Sequence, residues 1–285
     1  MSTLGLVPPD PNAIVTFTSP PIAEVVTSVR FAPMAAELFL SVGDLHKGAW
    51  KAAFPKFEAQ APYEAPTEGF GAARPGVNPF QFSVQATPPL PRIWLTSSGD
   101  DEILQLQPGW FAANWRANAE SGRSAPYPRW PARRRAFEAH WETFSGWMRA
   151  QGHDPVANQY EVTYINHIGP IDGVWNRHGD VGRLLHGLAL PATVETVPEQ
   201  ITLRAQSIVS EGSGLPPARL HIALTPAFSA TGPEPSPLLI LELTVRGAPA
   251  SDASLIAALD RGRRVIVETF LAMTTDEARA AWGQE

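Results

Sequence analysis

Tyr164 and Asn166 are the polar residues that break an otherwise apolar row in the segment Glu161-Val-Thr-Tyr-Ile-Asn-His-Ile. Side chains alternate across an extended strand, so Val162, Tyr164, Asn166 and Ile168 share one face and Glu161, Thr163, Ile165 and His167 the other. Comparison with Val25, Val29 and Phe31 places the first set against a helix. There a phenol and an amide require hydrogen-bond partners and can line a cavity, or they are satisfied structural groups. Glu161 and His167 stand too far apart along a strand to act alone as an acid–base pair. Asn114-Trp115-Arg116 joins an amide, an aromatic and a guanidinium at a strand end. That combination can stack on and hydrogen-bond a planar or anionic ligand; the plainer alternative is a packed Trp with its flanking polar groups in solvent.

Arg123, Arg129, Arg133, Arg134 and Arg135 gather around Tyr127 and Trp130, a basic and aromatic patch suited to phosphate or nucleic acid. The alternative is a solvated helix N-terminus. Positive charge in a first helical turn opposes the helix dipole, so a compensating Asp or Glu is expected. The seven histidines show no metal-ligand spacing, His178 and His186 being the nearest pair, so no metal and no cofactor is expected. No phosphate loop, nucleophile elbow or paired-carboxylate motif is present, and Gly212-Ser-Gly reads as a plain turn. The sequence therefore assigns no catalytic residue, although triads assembled from distant positions would escape such a search.

The elements that must position these residues follow from periodicity. Ile14, Val15 and Phe17 read as a short strand, and Ala23 to Phe31 as a clearer one. Ala35 to Phe54 has the spacing of one interrupted helix or two short ones, ending at Pro55. A Pro- and Gly-rich loop to about Pro79 precedes three alternating segments beginning at Phe80, Arg92 and Glu102, with Trp110 to Arg116 continuing the meander. Phe137, Trp141, Phe144 and Met148 mark a helix that Gly152 ends. The second half repeats the order: a strand from Tyr160 to Ile168, a weakly helical stretch from Asp172 to Leu188, and strands beginning at Ile201, Arg219 and Leu238. A final helix follows, capped by Ser251-Asp252 and carrying Ile256, Leu259, Ile266 and Phe270 on one face.

This order predicts an α+β protein of two tandem units, each a curved antiparallel sheet packed on a long C-terminal helix. The arrangement is similar in shape to TATA-binding-protein-like and helix-grip folds. The expected boundaries are a disordered lead-in at 1–12, an N-terminal unit at 13–152 and a C-terminal unit at 153–285, forming one pseudo-symmetric body. Echoes of Glu24-Val25 at Glu161-Val162, and of a Gly-x-Trp at Gly48 and Gly173, support internal duplication.

Composition bounds the rest. A chain of 285 residues with 44% hydrophobic content builds real cores. The absence of cysteine excludes disulfides, thiolate nucleophiles and Cys-held metals. A formal charge of -6 supplies no global attraction to nucleic acid or anionic membrane. The apolar runs are too short to span a bilayer and no secretory signal is seen, so a cytoplasmic protein without a membrane partner is expected.

Pro20-Pro-Ile-Ala-Glu-Val-Val, Val29-Arg-Phe-Ala-Pro, Leu104-Gln-Leu-Gln with Asn114-Trp-Arg, Tyr127-Pro, Glu161 to Ile168, and Met273-Thr-Thr followed by Trp282-Gly together resemble a sporadically distributed family of uncharacterised bacterial proteins. The resemblance spans nearly the full length. It implies a single full-length unit and, through the patchy distribution, an accessory or host-defence role, without assigning an activity. Family members often carry a His shortly before Trp-Gly; here the segment reads Asp276-Glu-Ala-Arg. Three functions are thus expected in order: a non-catalytic binding protein using the sheet face or inter-lobe groove for a protein partner or small ligand; an enzyme with a site in the helix–sheet gap around Tyr164, Asn166 and Asn114; and nucleic-acid binding through the arginine cluster.

Overall fold

The computed structural model describes residues 15–64, 66–70, 90–117, 126–189, 191–229 and 234–284. The expected lead-in, the segment beginning at Phe80 and Arg123 lie outside the described residues. The chain is α+β, with nine strands among the described residues in a single antiparallel sheet. In chain order these are β1 (Ile22–Arg30), β2 (Lys56–Gln60), β3 (Arg92–Thr96), β4 (Glu102–Gln107), β5 (Trp110–Arg116), β6 (Gln159–Ile168), β7 (Leu203–Val209), β8 (Ala218–Ser229) and β9 (Ser236–Gly247). Across the sheet they lie in the order β2-β3-β4-β5-β1-β6-β9-β8-β7.

The order has a simple logic. In each half the first strand sits at the centre, the last strand lies beside it, and the earlier ones follow outwards. β1 and β6 pair antiparallel, Val25 opposite Tyr164 and Val29 opposite Tyr160, so the sheet runs unbroken from one half to the other. Of the expected short strand, Ile14 lies outside the described residues and Val15 to Phe17 form no strand; Phe17 makes an isolated bridge to Gln284. β2, which periodicity leaves in a loop, is an exposed edge strand whose Phe57 stays solvent-accessible.

Short elements follow each central strand. After β1 come helices α1 (Ala36–Leu40) and α2 (Val42–Leu45) and a π-helical turn at His46–Trp50. After β6 come a 3-10 turn at His178–Asp180 and α4 (Val181–Leu184), while α3 (Arg129–Ala150) and α5 (Leu255–Met273) are the long helices. α5 is entered through a Ser251–Ser254 capping box, and α6 (Asp276–Ala281) is capped by Thr275. The Trp of each Gly-x-Trp, Trp50 and Trp175, is buried.

Both long helices cover the same face of the sheet. Phe137, Trp141 and Phe144 of α3 surround Phe111 of β5, and the Phe111 and Phe144 rings stack at 5.2 Å. Gly262 lets α5 close on Val162, Tyr160 and Val245; a methyl there would already stand 3.3–3.5 Å from those side chains. The helices are joined through Asp260 of α5, which accepts the Trp130 indole N–H at 2.7 Å and Arg134 at 2.9 Å from α3. No helix among the described residues is long and apolar enough to cross a membrane.

Among the described residues no helix covers the opposite face, called helix-free below in that sense. A strap, residues 61–64 and 66–70, leaves the end of β2 and contacts side chains of β4, β5, β6 and β8.

Candidate functional site

Between the middle of the sheet and the helices lies a cavity of about 440 Å³, within the size range of small-molecule sites. Its floor is β6 and β9, where Tyr164, Asn166 and Leu243 point towards the helices. Its walls are α5, through Arg263, Ile266 and Phe270, and the start of α3 with Tyr127 just before it. The rim is completed by the chain entering β1. There the register with β6 shifts at Ala23, so that Ile22 pairs with Asn166 and turns into the cavity instead of following Glu24 to the other face.

Tyr164 and Asn166, which alternation sets together, line this one cavity and are both buried. The Asn166 amide donates to the Leu241 carbonyl at 3.0 Å. The Tyr164 and Tyr127 hydroxyls bond to each other at 2.8 Å. Burial pushes both phenols above the usual tyrosine range; for Tyr127 the charge that an ionised Tyr164 would carry adds to the rise, and Arg263 and Arg133 act in the opposite sense on both. The pair is therefore a neutral hydrogen-bonding station in an apolar wall.

Two guanidiniums complete the lining, and no carboxylate and no imidazole is found among the described lining residues. Arg129 is exposed at the mouth and donates to the Phe17 carbonyl at 3.0 Å. Its φ of 67° is left-handed, a conformation a non-glycine residue adopts at a cost of about 1–3 kcal/mol. Arg263 makes no ion pair among the described residues, and its Nε is buried without a hydrogen-bond partner. Sequence reasoning passed over Arg263, because one arginine in the run Arg261-Gly-Arg-Arg has no local mark that separates it from a solvated one.

The remaining candidates lie elsewhere. Asn114 and Arg116 are on β5 but point to the helix-free face, because Trp115 between them takes the helix side opposite Val25. Asn114 donates to Glu24, its Oδ1 is buried without a partner, and Arg116 donates to the Asp100 carbonyl at 2.8 Å. The sheet thus separates Asn114 from Tyr164 and Asn166. The arginine cluster is also divided. Arg133 is buried and paired with Glu102, Arg134 pairs with Asp260 and Glu138, and Arg135 is exposed. The compensating acids expected for the helix N-terminus are therefore Glu102 and Asp260. His178 is buried and hydrogen-bonded to the Ala227 and Leu238 carbonyls, and His186 is exposed. No group of three or more potential metal ligands occurs among the described residues.

The chain matches no family model, no curated protein and no solved structure.

Proposed function

We propose that this chain is a non-catalytic binding protein that holds a small molecule, with an apolar body and an anionic group, in the cavity between sheet and helices. The observation that carries this reading is the buried, unpartnered Nε of Arg263 in a cavity whose described lining offers no carboxylate. A buried guanidinium donor without a partner is costly, and an incoming carboxylate or phosphate oxygen would satisfy it. Ile266, Phe270 and Leu243 suit an apolar body, and the Tyr127–Tyr164 pair offers a second polar contact. The strained Arg129 at the mouth fits a site held in a fixed shape. The lack of a carboxylate or imidazole in the described lining favours binding over acid–base catalysis there.

The two halves read as divergent copies in a TATA-binding-protein-like arrangement, a view supported by their shared strand order and by the buried Trp of each Gly-x-Trp. In this view the cavity lies where the copies meet. An accessory or host-defence role and a cytoplasmic location accompany this reading.

Thermal melting with decanoate and with decanol tests it. Decanoate is expected to raise Tm and decanol to leave it unchanged, and Arg263→Gln is expected to remove the decanoate shift while the protein stays folded. No stabilisation by decanoate, or an equal shift in Arg263→Gln, would refute the assignment.

A further inference from the structure

The strap on the helix-free face is held in an unusual way. It forms no strand ladder with the sheet, and its described residues are exposed except Glu68. Little apolar burial fixes it, so its position rests on polar contacts. Two glutamines supply these by reading backbone. The Gln107 side-chain amide donates to the Tyr63 carbonyl at 2.8 Å and accepts the Tyr63 N–H at 2.6 Å. The Gln159 amide donates to the Pro66 carbonyl at 2.8 Å and accepts the Glu68 N–H at 2.8 Å. Each uses one donor and one acceptor on the peptide groups of an extended segment, a recognition that is independent of that segment's side chains.

Two side-chain stations add selectivity. Tyr63 packs on Trp110 at 5.4 Å, with the Arg92 guanidinium over its ring. Five residues on, the Glu68 carboxylate enters a basic station on β8 and β9. It accepts from Arg219 Nε at 2.8 Å, meets His221 Nε2 at 2.6 Å and lies 3.5 Å from Arg246. Arg219 also donates to the Gly69 carbonyl at 2.9 Å and lies over the Phe70 ring. An open cleft of about 1280 Å³ continues beside this station along β7 to β9.

We infer that the helix-free face is a groove for an extended peptide, which the strap occupies in cis, and that it accepts a partner segment carrying an aromatic residue five positions before a carboxylate. The backbone clamps fix the segment's direction, and the two stations fix its register. The strap is then a tethered competitor: a free peptide must outbid a high local concentration, so the groove is closed to weak binders.

A fluorescently labelled synthetic peptide with the sequence of residues 61–70 tests this against the full chain. In a variant with the strap weakened, Tyr63→Ala with Glu68→Gln, anisotropy is expected to report binding at least tenfold tighter than to the wild type. A peptide with Gln in place of its Glu at the position of Glu68 is expected to lose at least tenfold, and so is Gln159→Ala placed in the strap-weakened variant. Circular dichroism and melting establish that each variant is folded. The inference fails if the folded strap-weakened variant does not bind, if the wild type binds equally well, or if the Gln peptide binds as tightly as the Glu peptide. Dimers formed by strap exchange between wild-type chains, seen by light scattering, would also overturn it, in favour of self-pairing.

Discussion

The cavity on the covered face of the sheet and the charged station beneath the strap on the other face handle polar groups in opposite ways. On the helix-covered face they are few and set in apolar walls, and one of them, Arg263 Nε, is left without a partner. On the helix-free face the set beneath the strap, Glu68, Arg219, His221, Arg246 and Glu161, satisfies itself, while Asn114 Oδ1 and Arg92 Nε, farther along the sheet, are buried without a partner. An incomplete polar set in a dry cavity gains from a ligand that completes it. A complete set at a surface gains from a new segment only by giving up the one it holds. The covered face therefore suits a small molecule that fills a vacancy, and the helix-free face a peptide that exchanges.

The sharpest way to break this contrast is to damage each face in turn. The largest loss is expected on the covered face at Phe111, enclosed by Phe137, Trp141 and Phe144. Phe111→Ala should cost about 3–5 kcal/mol in urea denaturation, whereas a loss below about 1 kcal/mol would mean that the helix layer is not packed as described.

A smaller and pH-dependent effect is expected on the helix-free face. Burial pushes the Glu68 carboxyl up, but hydrogen bonds from His221 and Arg219 and the His221 and Arg246 charges outweigh it and hold the group at about 2, against an ordinary value of 4.5. Because the docked carboxylate has the depressed value, its contribution is present above pH 4.5 and is lost as pH falls towards 2. The side chain is nearly inaccessible, so the docked strap should lose on the order of 3 kcal/mol over that window. Hydrogen exchange at the strap amides measures it, and the same acid dependence in Glu68→Gln would assign the effect to another group.

The smallest effect is expected at the tyrosine pair. Tyr127→Phe removes one hydroxyl bond and should cost about 1 kcal/mol. The folded phenols resist ionisation, so their contribution is intact below about pH 10 and declines above it, as the unfolded chain releases protons that the folded one keeps. Denaturation at pH 9 and pH 11 should show that decline in the wild type and a reduced one in the variant.

Period-two alternation was enough to set Tyr164 and Asn166 on the helix side of one strand, and the helical spacing of Phe137, Trp141 and Phe144 was enough to place α3. The same alternation, applied to Asn114 with Trp115 as its guide, would have placed that amide on the other face. Other features had no such signal. Lys56–Gln60 is an edge strand with a single large apolar residue, Phe57, which gives too little pattern to read. The cavity joins Arg263 to Tyr127 across nearly half of the chain, a proximity that only the folded sheet creates. The strap is legible still less, because Gln107 and Gln159 act on backbone groups that every peptide possesses.

The strand order also governs how the chain can assemble during synthesis. β1 emerges early, yet both of its ladder partners, β5 and β6, lie far downstream, beyond the outer strands β2 to β4. The peripheral hairpin of β3 and β4 can close at once, while the centre of the sheet must wait for β5, and for β6 to finish it. The growing chain therefore leaves the backbone edges of β1 unpaired and its apolar face, with Val25 and Val29, uncovered for much of its translation. Long-range pairing of this kind is slow, and it makes the middle of the molecule the last part to become safe from aggregation.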